Sequence, residues 1–351
     1  MCGIAGEIRF DGAPVDTAAL VRMNRRQAAR GPDGQGLMAF DRWGFAHRRL
    51  RIMDLSDAAQ QPMFDPALGM GVVFNGAIYN HNELRRDLVG RGYRFHSSGD
   101  TEVLLKAYHA WGPAFVKRLN GMFAFALWER DSGRVVLGRD RLGIKPLYLA
   151  DMTGGLRFAS SVPALLEAGG VDTGIDPAGL HHYLSLHAIV PAPATLLRGV
   201  RKLPPATLLT IEPDGRRHEE RYWHLDYARS AADESRSFEA WREILLAALR
   251  TSVRRQLMSD VPVGALLSGG VDSSLIVGLM AEQGVRDLRT YNVGFEDVAG
   301  EAGNEFEHAE TVARHFGTVH ERIFVPEQEL IERLPQAIAA MSEPMVSHDC
   351  I

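Results

Sequence analysis

The apolar residues of this chain change rhythm part-way along. In the first half they come in short bursts with a few helical stretches between them, the pattern of many short strands. Residues 3–10 predict a strand that ends at the turn Asp11-Gly12. Gly71-Val72-Val73-Phe74 predicts a short buried strand. Residues 123–128 and 134–137 flank Asp131-Ser132-Gly133, the arrangement of a hairpin with a short glycine-containing loop. Helices are predicted near residues 82–89 and 101–111. A strand-rich body with segregated helices predicts stacked antiparallel sheets covered by helical layers.

Residues 226–237 are polar, lack apolar periodicity and read as linker. Beyond them Trp241, Ile244, Leu245, Ala248, Leu249, Val253 and Leu257 recur at helical spacing. An apolar strand at 261–267 leads into a Gly/Ser loop and a helix near 273–282. A strand at 288–293, a helix near 305–316, a strand at 321–325 and a helix near 327–341 follow. This alternation predicts a parallel sheet. A sheet of about three strands is small and leaves an edge unprotected, so this second domain is expected to be incomplete at its C-terminus.

A length of 351 residues suits about two domains. The net charge of -5 gives no electrostatic case for nucleic acid or an anionic membrane as partner. The two cysteines, Cys2 and Cys350, make no disulfide framework and fit a reducing compartment. Glu7, Arg9 and Asp11 interrupt the start before a secretory apolar stretch can form. No apolar run approaches the ~20 residues of a spanning helix. The reading is a cytoplasmic protein.

Two segments carry chemistry. In Met1-Cys2-Gly3-Ile4-Ala5-Gly6 the initiator methionine precedes a small residue, so its removal is expected. Cys2 then carries a thiol, nucleophilic as its thiolate, and an α-amine with an ordinary pKa near ~7.7–8.0. Nucleophile and base sit on one residue. Taken alone, Cys2 reads more readily as an incidental small residue. The second segment is Ser268-Gly269-Gly270-Val271-Asp272-Ser273-Ser274, after a strand and opening a helix. There the glycines let backbone approach an anion, and hydroxyls and helix N-terminal amides can donate to phosphate. No Gly-Lys-Ser/Thr ending is present, so this is not the loop used for γ-phosphoryl transfer. It resembles the pyrophosphate loop of ATP pyrophosphatases.

With both segments in this order, the chain resembles the glutamine-hydrolysing asparagine synthetase family along nearly its whole length. The resemblance is carried by Cys2-Gly3-Ile4, Arg30-Gly31-Pro32-Asp33-Gly34, His47-Arg48-Arg49-Leu50, Asn75-Gly76, Gly99-Asp100-Thr101-Glu102, Gly138-Arg139-Asp140, Gly143-Ile144-Lys145-Pro146-Leu147-Tyr148 and the Ser/Gly loop. It implies an αββα sandwich of the N-terminal-nucleophile hydrolase type, a class II glutamine amidotransferase domain, over residues 2–210. A linker over 211–236 and the first part of a Rossmann-like adenine-nucleotide-binding domain over 237–351 follow.

The resemblance also implies roles. Cys2 attacks the side-chain amide of glutamine, and the Asn75 side chain and Gly76 amide hold the oxyanion. Arg49 takes the α-carboxylate of glutamine and Asp100 its α-ammonium. Leu267 and Val293-Gly294 line an adenine site. Ser268, Gly269, Gly270, Asp272, Ser273 and Ser274 hold ATP phosphates, with Asp272 near Mg²⁺. The residues alone admit plainer roles. Asn-Gly is a common turn, Asp100 and Asp272 suit helix caps, and Leu267 and Val293 suit a sheet core. Strand alternation puts Arg49 and Arg51 on one face and Arg48 on the other, without saying which is inward.

The implied reaction joins ammonia from glutamine to a carboxylate activated by ATP as an acyl-adenylate. The expected partners are therefore glutamine, ATP and an acidic amino acid or peptide, with a homodimer allowed. Aspartate is the default acid. The rival is the N-acetylglutaminylglutamine amidotransferase relative, suggested by the opening Gly-Glu-Ile-Arg-Phe-Asp-Gly, by Glu343-Pro344-Met345-Val346-Ser347-His348-Asp349, and by Ala77 where the family usually has glutamate. The family's later Ser-Gly-Glu/Gln-Gly-Ser/Ala-Asp-Glu segment is absent, so this polypeptide is expected to hydrolyse glutamine at most. Glutaminases joined to sugar isomerases or phosphoribosyltransferases share the Cys2 start but lack the Ser/Gly loop. A non-catalytic relative is the remaining alternative.

Overall fold

The computed structural model describes residues 1–297 and 303–345. Val346-Ser347-His348-Asp349 and Cys350, which entered the expectations above, lie outside the described residues. The chain divides into two compact units, one of Met1–Leu225 together with the segment from Ile338, the other of Asp226–Ala337.

The first unit holds, in chain order, β1 (Gly3–Arg9), α1 (Thr17–Arg26), β2 (Gly34–Phe40), β3 (Trp43–Arg49), β4 (Met63–Asp65), β5 (Met70–Ile78), α2 (His81–Gly90), α3 (Asp100–Trp111), β6 (Gly121–Glu129), β7 (Val135–Arg139), β8 (Tyr148–Met152), β9 (Gly155–Ala159), α4 (Val162–Glu167), α5 (Pro177–Ser185), β10 (Arg201–Lys202), β11 (Thr207–Ile211) and β12 (Arg217–Arg221). They form two six-stranded sheets, ordered β10-β8-β9-β1-β3-β2 and β12-β11-β7-β6-β5-β4. Every pairing within them is antiparallel among the described residues.

Side-chain alternation builds the layers. Ile4 and Ile8 of β1, Trp43 and Phe45 of β3 and Val73 of β5 pack together between the sheets. Ala5 and Ala46 turn the other way, onto Leu20 and Met23 of α1 and Leu165 of α4. Val72 and Phe74 of β5 meet Leu84 and Leu88 of α2 and Leu104 of α3. The result is four layers, helix, sheet, sheet, helix, the layering that the resemblance implied.

This unit runs past the boundary expected at residue 210. The β11–β12 hairpin, in the stretch expected as linker, extends the second sheet. β12 reads Arg-His-Glu-Glu-Arg and is exposed throughout. Its polar edge position removes the apolar alternation that would have marked it as a strand.

The second unit contains α6 (Ala231–Glu234), α7 (Phe238–Gln256), β13 (Gly264–Leu266), α8 (Val271–Glu282), β14 (Arg289–Phe295), α9 (Phe306–Phe316), β15 (Val319–Val325) and most of α10 (Glu327–Ala340). β13, β14 and β15 pair in parallel in that order. Its core joins Val253 of α7, Leu267, Val277 and Met280 of α8 and Ala309 and Ala313 of α9.

Candidate active site

Cys2 stands just ahead of β1. Gly3 pairs with Arg48, so Cys2 comes opposite the end of β3. The Leu50 amide donates to its Sγ at 3.4 Å, and the thiol lies 3.7 Å from the Leu50 carbonyl oxygen. Burial pushes the thiol above its ordinary value. The Leu50 amide, the N-terminal ammonium and Arg49 pull it back, and Asp100 adds to the rise. The α-amine of Met1 moves the opposite way. Burial pushes it down, with Arg30 and Lys145 adding to the fall against Cys2 and Asp33.

Strand parity brings further residues to the same place. Trp43 and Phe45 face the inter-sheet core, so Arg49, an even number of residues beyond both in the same alternation, shares that face. Val73 faces the same core from β5, and Asn75 follows it at the same parity. His47 Nε2 lies 3.2 Å from the Phe74 carbonyl oxygen and levels the two strands. Cys2, Arg49 and Asn75 therefore gather at one end of the sandwich, between the sheets.

Arg49 is 3 % exposed. Its guanidinium donates to the Ser56 carbonyl at 2.8 Å and to the Asp54 carbonyl. Arg48 turns outward, donating to the Asn24 carbonyl of α1 at 3.0 Å. Arg51 lies beyond the strand and pairs with Asp57. The open question of the arginine face is answered, and Arg51 falls outside the alternation.

Asn75-Gly76 is no turn; it lies inside the nine-residue β5, opposite Ala124 and Phe123 of β6. Asn75 is 1 % exposed, and its Nδ2 is a buried donor with no hydrogen-bond partner among the described residues. A buried amide left unpaired is costly unless something pairs with it. At Gly76 a Cβ would stand 2.2 Å from the Met122 carbonyl oxygen, so only glycine fits.

Asp100 does not cap α3, because Gly99 holds that position. Its Oδ2 instead accepts the Ile78 amide of β5 at 2.9 Å. Burial pushes its carboxyl up, against the Ile78 amide and the nearby His81. The loop before it is pinned from several sides. Asp54 accepts the Ser98 amide at 2.7 Å and the Gly99 amide at 3.2 Å. Arg85 donates to the Ser97 and Gly99 carbonyls at 2.8 Å each. Asp54 and Arg85 were missed by sequence reasoning; their partners are backbone atoms distant in sequence, and no local spacing reports that.

Two further charged residues reach Cys2. Arg30 Nε donates to the Cys2 carbonyl at 3.1 Å, while its buried Nη2 has no partner among the described residues. Lys145, 6 % exposed, acts electrostatically on Arg30 and Cys2. Both stand in motifs that the sequence singled out without a role.

In the second unit the Ser/Gly loop leaves β13 and enters α8. Gly269 has φ +88°, and a Cβ there would lie 2.5 Å from the Ala309 nitrogen. Ser268 Oγ receives the Gly270 amide at 3.2 Å and lies 3.0 Å from Ser273 Oγ. Ser274 Oγ donates to the Gly270 carbonyl at 2.7 Å. Gly270 precedes α8 without a side-chain cap; Asp272 sits in the first turn, exposed, and is not the cap. Leu267 is buried in the core, Val293 is exposed, and Gly294 lies against Phe306 and Asn304. The loop, Val293 and Gly294 share the carboxyl end of the parallel sheet, where open α/β sheets take ligands. Among the described residues, no group of three or more His, Cys, Asp or Glu side chains is arranged to hold a metal. No helix among them is long and apolar enough to cross a membrane.

Residues 1–223 match the family described as glutamine amidotransferase domain, and residues 245–351 match that described as asparagine synthase. The class is thus an amidotransferase domain followed by a synthetase domain. Within that class, the chain belongs to the glutamine-hydrolysing asparagine synthetase family. It is 33% identical over 350 residues to asparagine synthetase [glutamine-hydrolyzing] 1 of Bacillus subtilis, covering 98% of this chain and 53% of the relative. It is 33% identical to asparagine synthetase B of Escherichia coli, covering 96% and 56%. A putative asparagine synthetase of Methanocaldococcus jannaschii is 31% identical, with 98% and 68% covered. The chain spans about half the length of the first two of these relatives. In fold alone it is similar to glutamine phosphoribosylpyrophosphate amidotransferase from B. subtilis, with TM-score 0.51, 15% identity and 94% and 92% of the two chains covered.

Proposed function

We propose that the first unit hydrolyses glutamine at Cys2 and that the second binds ATP at the Ser/Gly loop. Together they serve ATP-dependent amidation of a carboxylate through an acyl-adenylate, with aspartate as the acid. The carrying observation is the orphaned Nδ2 of Asn75, buried at the same end of the sandwich as the Cys2 thiol. A donor held ready without a protein partner suits an oxyanion that forms only during reaction.

In this reading Met1 is removed and the freed amine takes the thiol proton. The thiolate attacks the amide carbon of glutamine, the oxyanion rests on Asn75 Nδ2 and the Gly76 amide, and ammonia leaves. Water then releases glutamate from the thioester. Arg49 takes the substrate α-carboxylate with its planar fork. Asp100 takes the α-ammonium, whose charge compensates a carboxylate that burial alone disfavours. Ala77 supplies no carboxylate here, so glutamine binds with a raised Michaelis constant.

At the Ser/Gly loop, the uncapped N-terminus of α8 and the hydroxyls of Ser268, Ser273 and Ser274 are donors suited to phosphate. Asp272 is one exposed carboxylate. That suits Mg²⁺, which commonly uses one or two carboxylates plus substrate phosphates. When bound, the ion spreads the phosphate charge.

The rival acid, N-acetylglutaminylglutamine, retains the support of Ala77. Its opening motif is less telling, because Glu7 is spent structurally: its carboxylate is fully buried against Arg157 at 2.7 Å.

The test is a Cys2→Ala variant assayed for glutamate release from glutamine. Loss of turnover with unchanged thermal unfolding is expected; full turnover would end the proposal. Assay with aspartate and with the dipeptide, scoring pyrophosphate release, decides between the acids.

A further inference from the structure

The residues proposed to hold glutamine sit on separate elements: Arg49 on β3, Asn75 on β5 and Asp100 at the start of α3. One short segment, residues 54–61, reaches the supports of all of them. At its front the Asp54 and Ser56 carbonyls accept from the Arg49 guanidinium. The Asp54 carboxylate accepts the amides of Ser98 and Gly99, just before Asp100. At its rear Gln61 Nε2 donates to Oγ1 of Thr101, the residue after Asp100, at 3.1 Å. Gln61 Oε1 accepts the amide of Phe74, the residue before Asn75, at 2.6 Å.

Gln61 is 5 % exposed, and both of its side-chain bonds are buried. The Phe74 amide can only donate, so it fixes which end of the Gln61 side chain is oxygen and which is nitrogen. Breaking either bond would leave a desolvated polar atom unpaired. The backbone at Gln61 is also seated. A Cβ on Gly36 of β2 would stand 2.0 Å from the Gln61 carbonyl oxygen, and Gln60 Nε2 donates to the Gln35 carbonyl at 2.8 Å. The Phe74 carbonyl in turn takes His47 Nε2 at 3.2 Å. A run of buried hydrogen bonds therefore leads from β3 through Phe74 and Gln61 to the first turn of α3.

We propose that Gln61 is a positioning residue that sets the spacing between Asn75 and Asp100, and so selects the length of the amide side chain taken at Cys2. Glutamine and asparagine carry the same amide and the same α-groups, with one methylene of difference between them. A site that grips both ends tells them apart by holding its grips at a fixed separation. Asp100 is tied to β5 directly by one bond, to the Ile78 amide at 2.9 Å. A single bond is a pivot. Gln61 supplies a second tie through Thr101 to Phe74, on the other side of Asn75. The two ties bracket Asn75 and stop α3 from turning about the first. This rests on Cys2 being the nucleophile of a glutaminase, the reading proposed above.

The test is the ratio of kcat/KM for glutamine to that for asparagine, scored as ammonia release. It is measured in the parent chain and in Gln61→Met, Thr101→Val and Thr101→Ser. Gln61→Met keeps the length of the side chain and loses both bonds. Thr101→Val keeps the shape and loses one, and Thr101→Ser keeps the hydroxyl. The ratio does not depend on how much of the chain is folded, so a variant that is merely less stable leaves it unchanged. It is expected to fall about tenfold or more in Gln61→Met and Thr101→Val, the scale on which sites resolve one methylene, and to stay near the parent value in Thr101→Ser. An unchanged ratio in folded Gln61→Met overturns the proposal, and asparagine turnover that stays undetectable there counts as unchanged. Should Gln61→Met not fold, Thr101→Val decides in the same way. Failure of both to fold also overturns it, since Gln61 would then serve the fold alone. So does a ratio as low in Thr101→Ser as in Thr101→Val. A parent chain that releases no ammonia from glutamine ends the glutaminase reading and this inference with it. An active parent beside variants of unaltered ratio ends this inference alone.

Discussion

His47 Nε2 and the Phe74 carbonyl oxygen, 3.2 Å apart, form a hydrogen bond that crosses from one sheet to the other. A carbonyl only accepts, so Nε2 carries a proton. The bond sets β3 level with β5, and thereby sets Arg49 level with Asn75.

That geometry has a price in acid. His47 is fully buried, and burial, with a smaller push from Arg49, lowers its pKa from 6.5 to about 3. The unfolded chain therefore binds a proton between about pH 6.5 and 3 that the folded chain refuses. Stability falls as pH drops through that window, by ~1.4 kcal/mol per pH unit for one proton. The expected result is a shallower pH dependence of urea unfolding in His47→Gln, which keeps a donor for Phe74. A slope equal to that of the parent would show that His47 is not the group responsible.

Asn75 should separate catalysis from stability. Its Nδ2 makes no hydrogen bond with the described protein, so Asn75→Ala breaks none there. Removing one oxyanion donor typically costs about 10²–10³ in kcat. Steady-state glutamine hydrolysis by Asn75→Ala should show that loss with KM little changed and the unfolding midpoint not lowered. A loss confined to KM would reassign Asn75 to substrate binding.

The layered architecture was legible in the sequence, because Ile4, Ile8, Val73, Phe125 and Leu127 repeat with a strand's period. Less legible was the end of β5. Asn-Gly suggests a turn, yet pairing with β6 overrides that preference and carries the strand four residues past Phe74. Arg49 and Asp100 were found through their motifs, but Asp100's bond to Ile78 was not, since helix start and strand end meet only in the folded chain. In the second unit, spacing alone located all three parallel strands and the loop between β13 and α8.

Asp100 should give acid sensitivity to binding. Burial holds its carboxyl above the ordinary carboxylate range. As pH falls through that raised value the carboxylate gains a proton and loses its attraction for an α-ammonium. KM for glutamine is expected to rise toward acid before kcat changes. In Asp100→Asn the side-chain oxygen still accepts from Ile78, but the charge is gone. Its KM should be raised about tenfold or more, the scale of one charge-assisted hydrogen bond, and should no longer vary over that acid limb. An unaltered KM with reduced kcat would place Asp100 in another role.

Two adjacent glycines of the phosphate-type loop should behave differently. Gly269 has φ +88°, and an added Cβ would lie 2.5 Å from backbone atoms of His308 and Ala309 on or beside α9. Gly269→Ala must therefore strain the loop or push α9 away, at more than about 1 kcal/mol. Gly270 has φ −67°, and a Cβ there would meet only Ser268 Oγ at 3.4 Å, an ordinary contact. Gly270→Ala should unfold within about 0.5 kcal/mol of the parent, while Gly269→Ala is less stable and binds ATP more weakly by calorimetry. Equal ATP affinity in a folded Gly269→Ala chain would mean that the bend at Gly269 does not shape the nucleotide site.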